Sequence, residues 1–215
     1  MQEAGGAARH LASRIPREDW TDLISAGIPV WFLNRQILFH QGDAGRHVYV
    51  LRAGSVKVVR TEADGGQAIL TVRTVGDVLG DMAALDSSVR SATVVAMGRV
   101  AAQMVPAAQF RAFVSRPSVA PGFALYTVDR LREADLQRSE MALLPVRVRL
   151  ARTLLRLLDG SVVRMPQQDL ARYAGASRNA VVEELGLLRA AGIVHTGRGT
   201  TVVRDLGQLR RIADL

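Results

Sequence analysis

The sequence predicts an α+β chain with an N-terminal antiparallel β-roll, jelly-roll-like, then a long dimerisation helix, then a C-terminal winged helix-turn-helix. Three observations predict it. Short β-prone runs punctuated by glycine crowd residues 28–105. A helical pattern of about 25 residues follows over 118–144. Residues 166–203 then read helix, turn, helix, hairpin.

The opening stretch Met1–Arg14 is small and polar and lacks the apolar centre of a signal peptide. No apolar run approaches the roughly 18 residues that a membrane span needs. Residues 1–15 are therefore expected to be a tail, and the protein cytoplasmic, with no membrane partner. Pro16–Gly27 (PREDWTDLISAG) reads as a short helix, with Pro at its first turn, acids following and Gly at its end. From Ile28 to Val105 the runs IPVWFLN, QILFHQGDAG, HVYVLRAG, SVKVVRTEADGG, QAILTVRTVGD, ATVVAMG and RVAAQMV suit a sandwich or roll. Ala63–Gly66 (ADGG) supplies the positive φ angles of a hairpin turn. Pro106–Arg116 is a helix that closes the roll, giving it the bounds 16–116.

The long helix, within 117–144, carries an apolar stripe of Val128, Leu131, Leu136 and Met141, interrupted by Asp135. Such a stripe must be buried, and a second copy of the chain is the economical partner; the alternative is the chain's own roll. Pro145 ends this helix, and a hinge is expected at Leu144-Pro145. Residues 145–215 form the last domain. Val146–Leu158 buries Val148, Leu150, Leu154, Leu155 and Leu158; Pro166–Tyr173 is a short helix, and Gly175 the turn. Ser177 N-caps a helix that runs to Ala190 and is closed by Gly192. Strands Ile193–Thr196 and Thr200–Val203 flank Gly197-Arg198-Gly199.

Composition narrows the chemistry. Cysteine is absent, which removes disulfides, thiolate catalysis and Cys-ligated metal centres. His10, His40, His47 and His195 lack the i, i+4 spacing of helical metal sites. There is no nucleophile–base pair, no paired catalytic carboxylates and no Walker loop, so an enzyme is not expected. The net charge is +8, and residues 145–215 hold 12 basic against 6 acidic side chains. That excess suits a polyanion, although 27 of the 28 basic residues are Arg, which GC-rich coding would also produce.

Within Pro166–Gly192 (PQQDLARYAGASRNAVVEELGLLRAAG), Val181, Leu185 and Leu188 anchor the second helix. Its first turn faces outward, where helix-turn-helix proteins enter the major groove. Arg178 can pair with guanine, Asn179 with adenine, and Ala180 can meet a thymine methyl; Glu183 can accept from cytosine or stand away from the DNA. Ser177 and the helix-terminal amides suit phosphate. Gln168 on the first helix and Arg198 in the wing complete the candidate double-stranded DNA contacts. A winged helix used only for protein contacts is the alternative.

At these residues the chain resembles the CRP/FNR regulators, over about residues 15–205. The pieces that carry the resemblance are Gln41–Val58 (QGDAGRHVYVLRAGSVKV), Gly80–Ala96 (GDMAALDSSVRSATVVA) and Asp169–Arg178 (DLARYAGASR). The resemblance implies a homodimeric, ligand-responsive transcription regulator acting on a pseudo-palindromic operator, with RNA polymerase as a further candidate partner. It implies that Gly80–Ala96 is a phosphate-binding cassette. There Arg90 clamps a cyclic phosphate, Ser91 and the amides near Met82 assist, Asp81 accepts the ribose hydroxyl and Gly80 admits the sugar. The effector implied is a cyclic nucleotide, cyclic AMP or cyclic GMP.

The sequence departs from the family pattern at several places. The cassette acid is usually Glu, one methylene longer than Asp81. The family's adenine-reading Thr-Ser pair aligns with Ala134 and Asp135, and a carboxylate at Asp135 suits the guanine edge better; solvation of Asp135, or its pairing with an Arg, is the alternative. Where cyclic-AMP regulators carry Arg-Glu and a later Arg on the recognition helix, Arg178, Asn179 and Glu183 stand here, so a different operator is expected. Two alternatives inside the family stay open: loss of nucleotide binding with constitutive regulation, and heme or redox sensing, which the absence of Cys disfavours.

Overall fold

The structure, a computed structural model, describes residues 10–214. It divides into two compact units, one ending at Ala134 and the other holding Asp135 onward together with Gln67–Ile69.

A six-stranded antiparallel sheet, all of it but Gln67–Ile69 in the first unit, curls around its own core. Its strands are β1 (Ile28–Phe32), β2 (Ile37–Phe39), β3 (His47–Thr61), β4 (Gln67–Arg73), β5 (Val78–Leu79) and β6 (Thr93–Pro106). The main order is β1-β6-β3-β4, with β2 on β6 and β5 on β3. Alternation on β3 sends Tyr49 and Leu51 to one core with Phe39, Leu79 and Val94. Val48 and Val50 go to another, with Phe110, Phe113 and Tyr126.

Two of the expected strand breaks are absent. The runs on either side of Gly54 are one strand, β3, and those on either side of Gly98 are one strand, β6. Both glycines take positive φ, but the β3–β6 register merely shifts between Leu51, Ala53 and Ser55 instead of reversing. A glycine that bends a strand and a glycine that ends it look alike in sequence.

The expected tail does not hold for its described part. Residues 1–9 lie outside the described residues, but Leu11–Ser13 form a 3-10 helix whose Leu11 is fully buried, and Ile15 is buried too. These side chains join the Val48–Phe110 core, which a polar-tail reading of Met1–Arg14 could not foresee. Helices α1 (Arg17–Ser25), α2 (Asp81–Asp86) and α3 (Ala107–Val114) pack around the roll. Arg116 clamps α1 by donating to Asp19 at 3.0 Å and Asp22 at 2.9 Å.

Helix α4 covers Ala120–Leu143. Its N-terminal half is tied to the roll by Arg14–Asp129 at 2.5 Å and Arg73–Glu133 at 3.0 Å. The rest of the second unit comprises α5 (Val146–Arg156), β7 (Val162–Val163), α6 (Gln167–Ala174), α7 (Arg178–Ala190), β8 (Val194–Gly197), β9 (Thr200–Val203) and α8 (Leu206–Ile212). Leu150, Leu154, Leu170, Val181, Leu185 and Leu188 make its core. On α5 the buried face is Leu150, Ala151, Thr153 and Leu154, while Val148, Leu155 and Leu158 are only half-buried.

Pro145 does break the helix, but the expected hinge is bridged. Buried Glu140 accepts from Arg152 at 3.1 Å and forms a close pair with Arg156, both on α5. Gln137 donates to Tyr173 on α6 at 2.9 Å. The last turns of α4 are therefore pinned to the helices beyond the proline.

Candidate functional site

The cassette begins where β5 ends. Gly80 N-caps α2 with φ +78°, a conformation that side chains with a Cβ resist. A Cβ there would also sit 2.2 Å from Arg90 Nη1, so the absence of a side chain makes room for the guanidinium. Arg90 itself is buried, with 2% exposure. Its Nη1 donates to Gly80 O at 2.7 Å and its Nη2 to His47 O at 2.5 Å. Its Cζ lies 4.3 Å from the Phe39 ring centroid, within cation–π reach. Burial lowers the Arg90 pKa, against the pull of Tyr49, Asp43 and Asp81. One donor is left over: Arg90 Nε is buried without a partner among the described residues.

Asp81 is buried next to it and accepts from Arg130 Nη1 at 2.6 Å. Arg130 on α4 begins a ladder. Its Nη1 donates to Tyr126 Oη at 3.4 Å, Tyr126 Oη donates to Asp77 Oδ1 at 3.3 Å, and Asp77 Oδ2 lies 3.3 Å from His10 Nδ1. Burial alone would lower the Arg130 pKa, but Asp81, Tyr126 and Asp77 together raise it. The Asp77 carboxylate likewise raises His10 above its ordinary value, against burial. Met82 and Ser91 are exposed beside these buried groups.

The cassette thus brings together Gly80, Asp81, Met82, Arg90 and Ser91. Its charged groups are spent on internal partners, and a ligand must displace them. The donor set fits a monoanionic phosphodiester: a buried guanidinium with an unused N–H, an exposed hydroxyl and a carboxylate for a sugar hydroxyl. A cavity of about 440 Å³ lies elsewhere, lined by His10, Trp20, Leu51, Arg52 and Val75, and includes none of the cassette residues. Asp135 falls in the second unit, where it is exposed and paired with Arg138 at 2.9 Å; Ala134 is exposed as well.

In the second unit, α6 and α7 meet at Gly175, which takes φ +61°. A Cβ there would press within 3.2–3.3 Å of Met141 and Arg149, so bulk is excluded at the crossing. Arg149 fixes the turn by donating to Gly175 O at 3.0 Å. Ser177 Oγ caps α7 by accepting from Ala180 N at 3.2 Å. With Val181, Leu185 and Leu188 buried, the first turn of α7 faces solvent. Ser177, Arg178, Asn179 and Glu183 are exposed, and Ala180 is half-buried. Arg178 has no hydrogen bond or ion pair among the described residues. Gln168 on α6 and Arg198 between β8 and β9 are exposed too.

Sequence reasoning missed four side chains here. Arg130 stands one helical turn before Ala134, and that i, i+4 spacing was the available signal. Glu140 and Gln137 are polar residues in a helix read for its apolar stripe. His47 passed as a scattered histidine, although it opens β3 facing Arg90. Helix α8 was missed as well; Asp205, which accepts from Gln208 N at 2.8 Å, was its only cap signal.

Known proteins share this arrangement. The cyclic nucleotide-binding domain family matches residues 29–116, and the Crp-like helix-turn-helix domain family matches residues 148–212. The cyclic AMP receptor protein of Thermus thermophilus is 34% identical over 180 residues, covering 82% of this chain and 83% of that protein. The CRP-like cAMP-activated global transcriptional regulator of Mycobacterium tuberculosis is 24% identical over 196 residues, covering 86% and 88%. Among solved structures, the c-di-GMP responsive global regulator CLP of Xanthomonas campestris superposes with a TM-score of 0.76 at 21% identity, covering 88% of this chain and 100% of that one. No helix among the described residues is long and apolar enough to cross a membrane. With a match to the cyclic nucleotide-binding domain family followed by one to the Crp-like helix-turn-helix family, and a relative one-third identical along most of its length, the chain belongs to the CRP/FNR family of DNA-binding transcription regulators, a family of regulators rather than enzymes.

Proposed function

We propose that the protein is a homodimeric, sequence-specific regulator of transcription whose effector is a cyclic nucleotide, cyclic AMP or cyclic GMP, held by Gly80, Asp81, Met82, Arg90 and Ser91. The observation that carries the reading is the exposed first turn of α7, rigidly capped and cored, with Arg178 uncommitted beside Asn179. Arg178 would pair with guanine, Asn179 with adenine, and Gln168, Ser177 and Arg198 would meet the backbone. The helix-turn-helix would dock as a pair on a pseudo-palindrome with half-sites about one turn apart. Dimerisation is supported by α4, where Leu125, Val128, Leu131, Leu136 and Met141 are each 40–60% exposed in the single chain. Apolar area of that kind favours a second copy.

Asp135 is the proposed base-reading group: its exposed pair with Arg138 is worth about 0–1 kcal/mol, so giving it up costs little. RNA polymerase is a further partner on this reading. The test is a titration with cyclic AMP, cyclic GMP and cyclic di-GMP, followed as heat and as affinity for a selected operator over a salt series. Saturable binding by a cyclic mononucleotide that raises operator affinity supports the reading. Binding of cyclic AMP alone, unchanged by Asp135→Ala, removes base reading by Asp135.

A second reading has its own observation. The pairs Asp81–Arg130 and Arg90 with Gly80 and His47 satisfy the pocket internally, as in a regulator that takes no nucleotide. Equal operator affinity with and without every nucleotide would select it.

A further inference from the structure

Besides Arg90 Nε, a second buried polar atom near the cassette has no hydrogen-bond partner among the described residues, Nε2 of His47. His47 begins β3 on the face shared by Tyr49 and Leu51, and its ring meets Tyr49 edge-on at 4.8 Å. Its backbone carbonyl takes a hydrogen bond from Arg90, and its ring lies within the electrostatic reach of that guanidinium. A buried, unpartnered ring nitrogen is costly unless something completes it.

We infer that His47 is a second anion-binding group of this pocket, and that an anionic ligand enters together with a proton taken up at His47 Nε2. The inference rests on the reading of the cassette as a phosphodiester site. The groups facing His47 are Arg90 from the segment after α2, Tyr49 on its own strand and Asp43 from the loop before β3, with Asp81 acting on Arg90 from α2. With the pocket empty, burial holds the His47 pKa below its ordinary value; Arg90 adds to this and Asp43 opposes it. The imidazole is then neutral near pH 7. A phosphodiester on Arg90 would cancel the cationic field and offer oxygens to an Nε2–H, so the charged imidazole becomes the favoured form. The proton comes from solvent, and no bond of the ligand changes.

The sign of the linkage follows. The liganded pKa exceeds the empty one, so affinity strengthens as pH falls through the liganded value. It levels off below the empty value. The slope is at most about tenfold per pH unit, the limit for one proton.

The experiment is calorimetry of cyclic AMP and cyclic GMP at pH 7 in two buffers of different ionisation heat, with a pH series from 5.5 to 8.5. It uses the full chain and His47→Gln, which keeps hydrogen-bonding capacity without titrating. Proton uptake and a several-fold tightening towards low pH in the full chain, both lost in His47→Gln, are expected. NMR titration of His47 with and without cyclic AMP should show its pKa rise on binding, and this reading does not depend on the variant folding well. Binding with no proton uptake, or with the same uptake in His47→Gln, overturns the inference alone. Failure of both nucleotides to bind at any pH overturns the phosphodiester reading itself, and the inference with it.

Discussion

In the roll, Arg90 is buried and spends its N–H groups on the carbonyls of Gly80 and His47, whereas in the winged helix Arg178 stands exposed and uncommitted at the start of α7. The two arginines have the same chemistry and opposite economies. One is built into the fold, so a ligand can reach it only by rearranging its surroundings. The other adds little to the fold and is free for a partner. On the proposed function, the residue assigned to sensing is entangled with stability and the residue assigned to reading is not.

Substitutions can break or sharpen this contrast. The largest effect is expected at Arg90: Arg90→Ala strands two carbonyls and should cost the first unit about 3 kcal/mol, read as a lowered denaturation midpoint. A midpoint unchanged by Arg90→Ala would remove the contrast. Nearly as large, Glu140→Ala leaves Arg152 and Arg156 without their shared anion and should cost the second unit about 2–3 kcal/mol. The same measurement, with the signal taken from the helix-turn-helix unit, checks it. Arg178→Ala should leave the midpoint where it was but weaken binding to a selected operator by about 10- to 100-fold, with non-specific DNA affected far less, as fluorescence anisotropy would report. Ser177→Ala removes the cap of α7 and should cost about 1 kcal/mol in thermal unfolding.

The smallest expected effect is pH-linked. His10 titrates above its unfolded value because of Asp77, so its contribution is complete below about pH 6.5 and fades as pH rises through the folded value. Comparing the full chain with His10→Asn between pH 6 and 8 should reveal a difference of about 0.5 kcal/mol that shrinks at the alkaline end.

Legibility from sequence follows the same division. The first turn of α7 was readable because capping, glycine at the crossing and apolar anchors are all local signals: Ser177, Gly175, Val181. The strand content of the roll was readable too, but not its continuity, because Gly54 and Gly98 bend strands without ending them. The self-engagement of the cassette could not be read. Arg130 lies 49 residues from Asp81, and Arg90 lies 43 from His47, so only the closed roll brings these groups together. Leu11 failed for a similar reason. One apolar residue in a polar stretch shows nothing until the core that receives it exists.

The ladder from His10 through Asp77, Tyr126 and Arg130 to Asp81 has a practical corollary. Its far rung is His10, beside the short helix Leu11–Ser13, so a change at His10 would be felt at the pocket acid through Asp77, Tyr126 and Arg130. Effector titrations are therefore better made on protein that keeps this histidine.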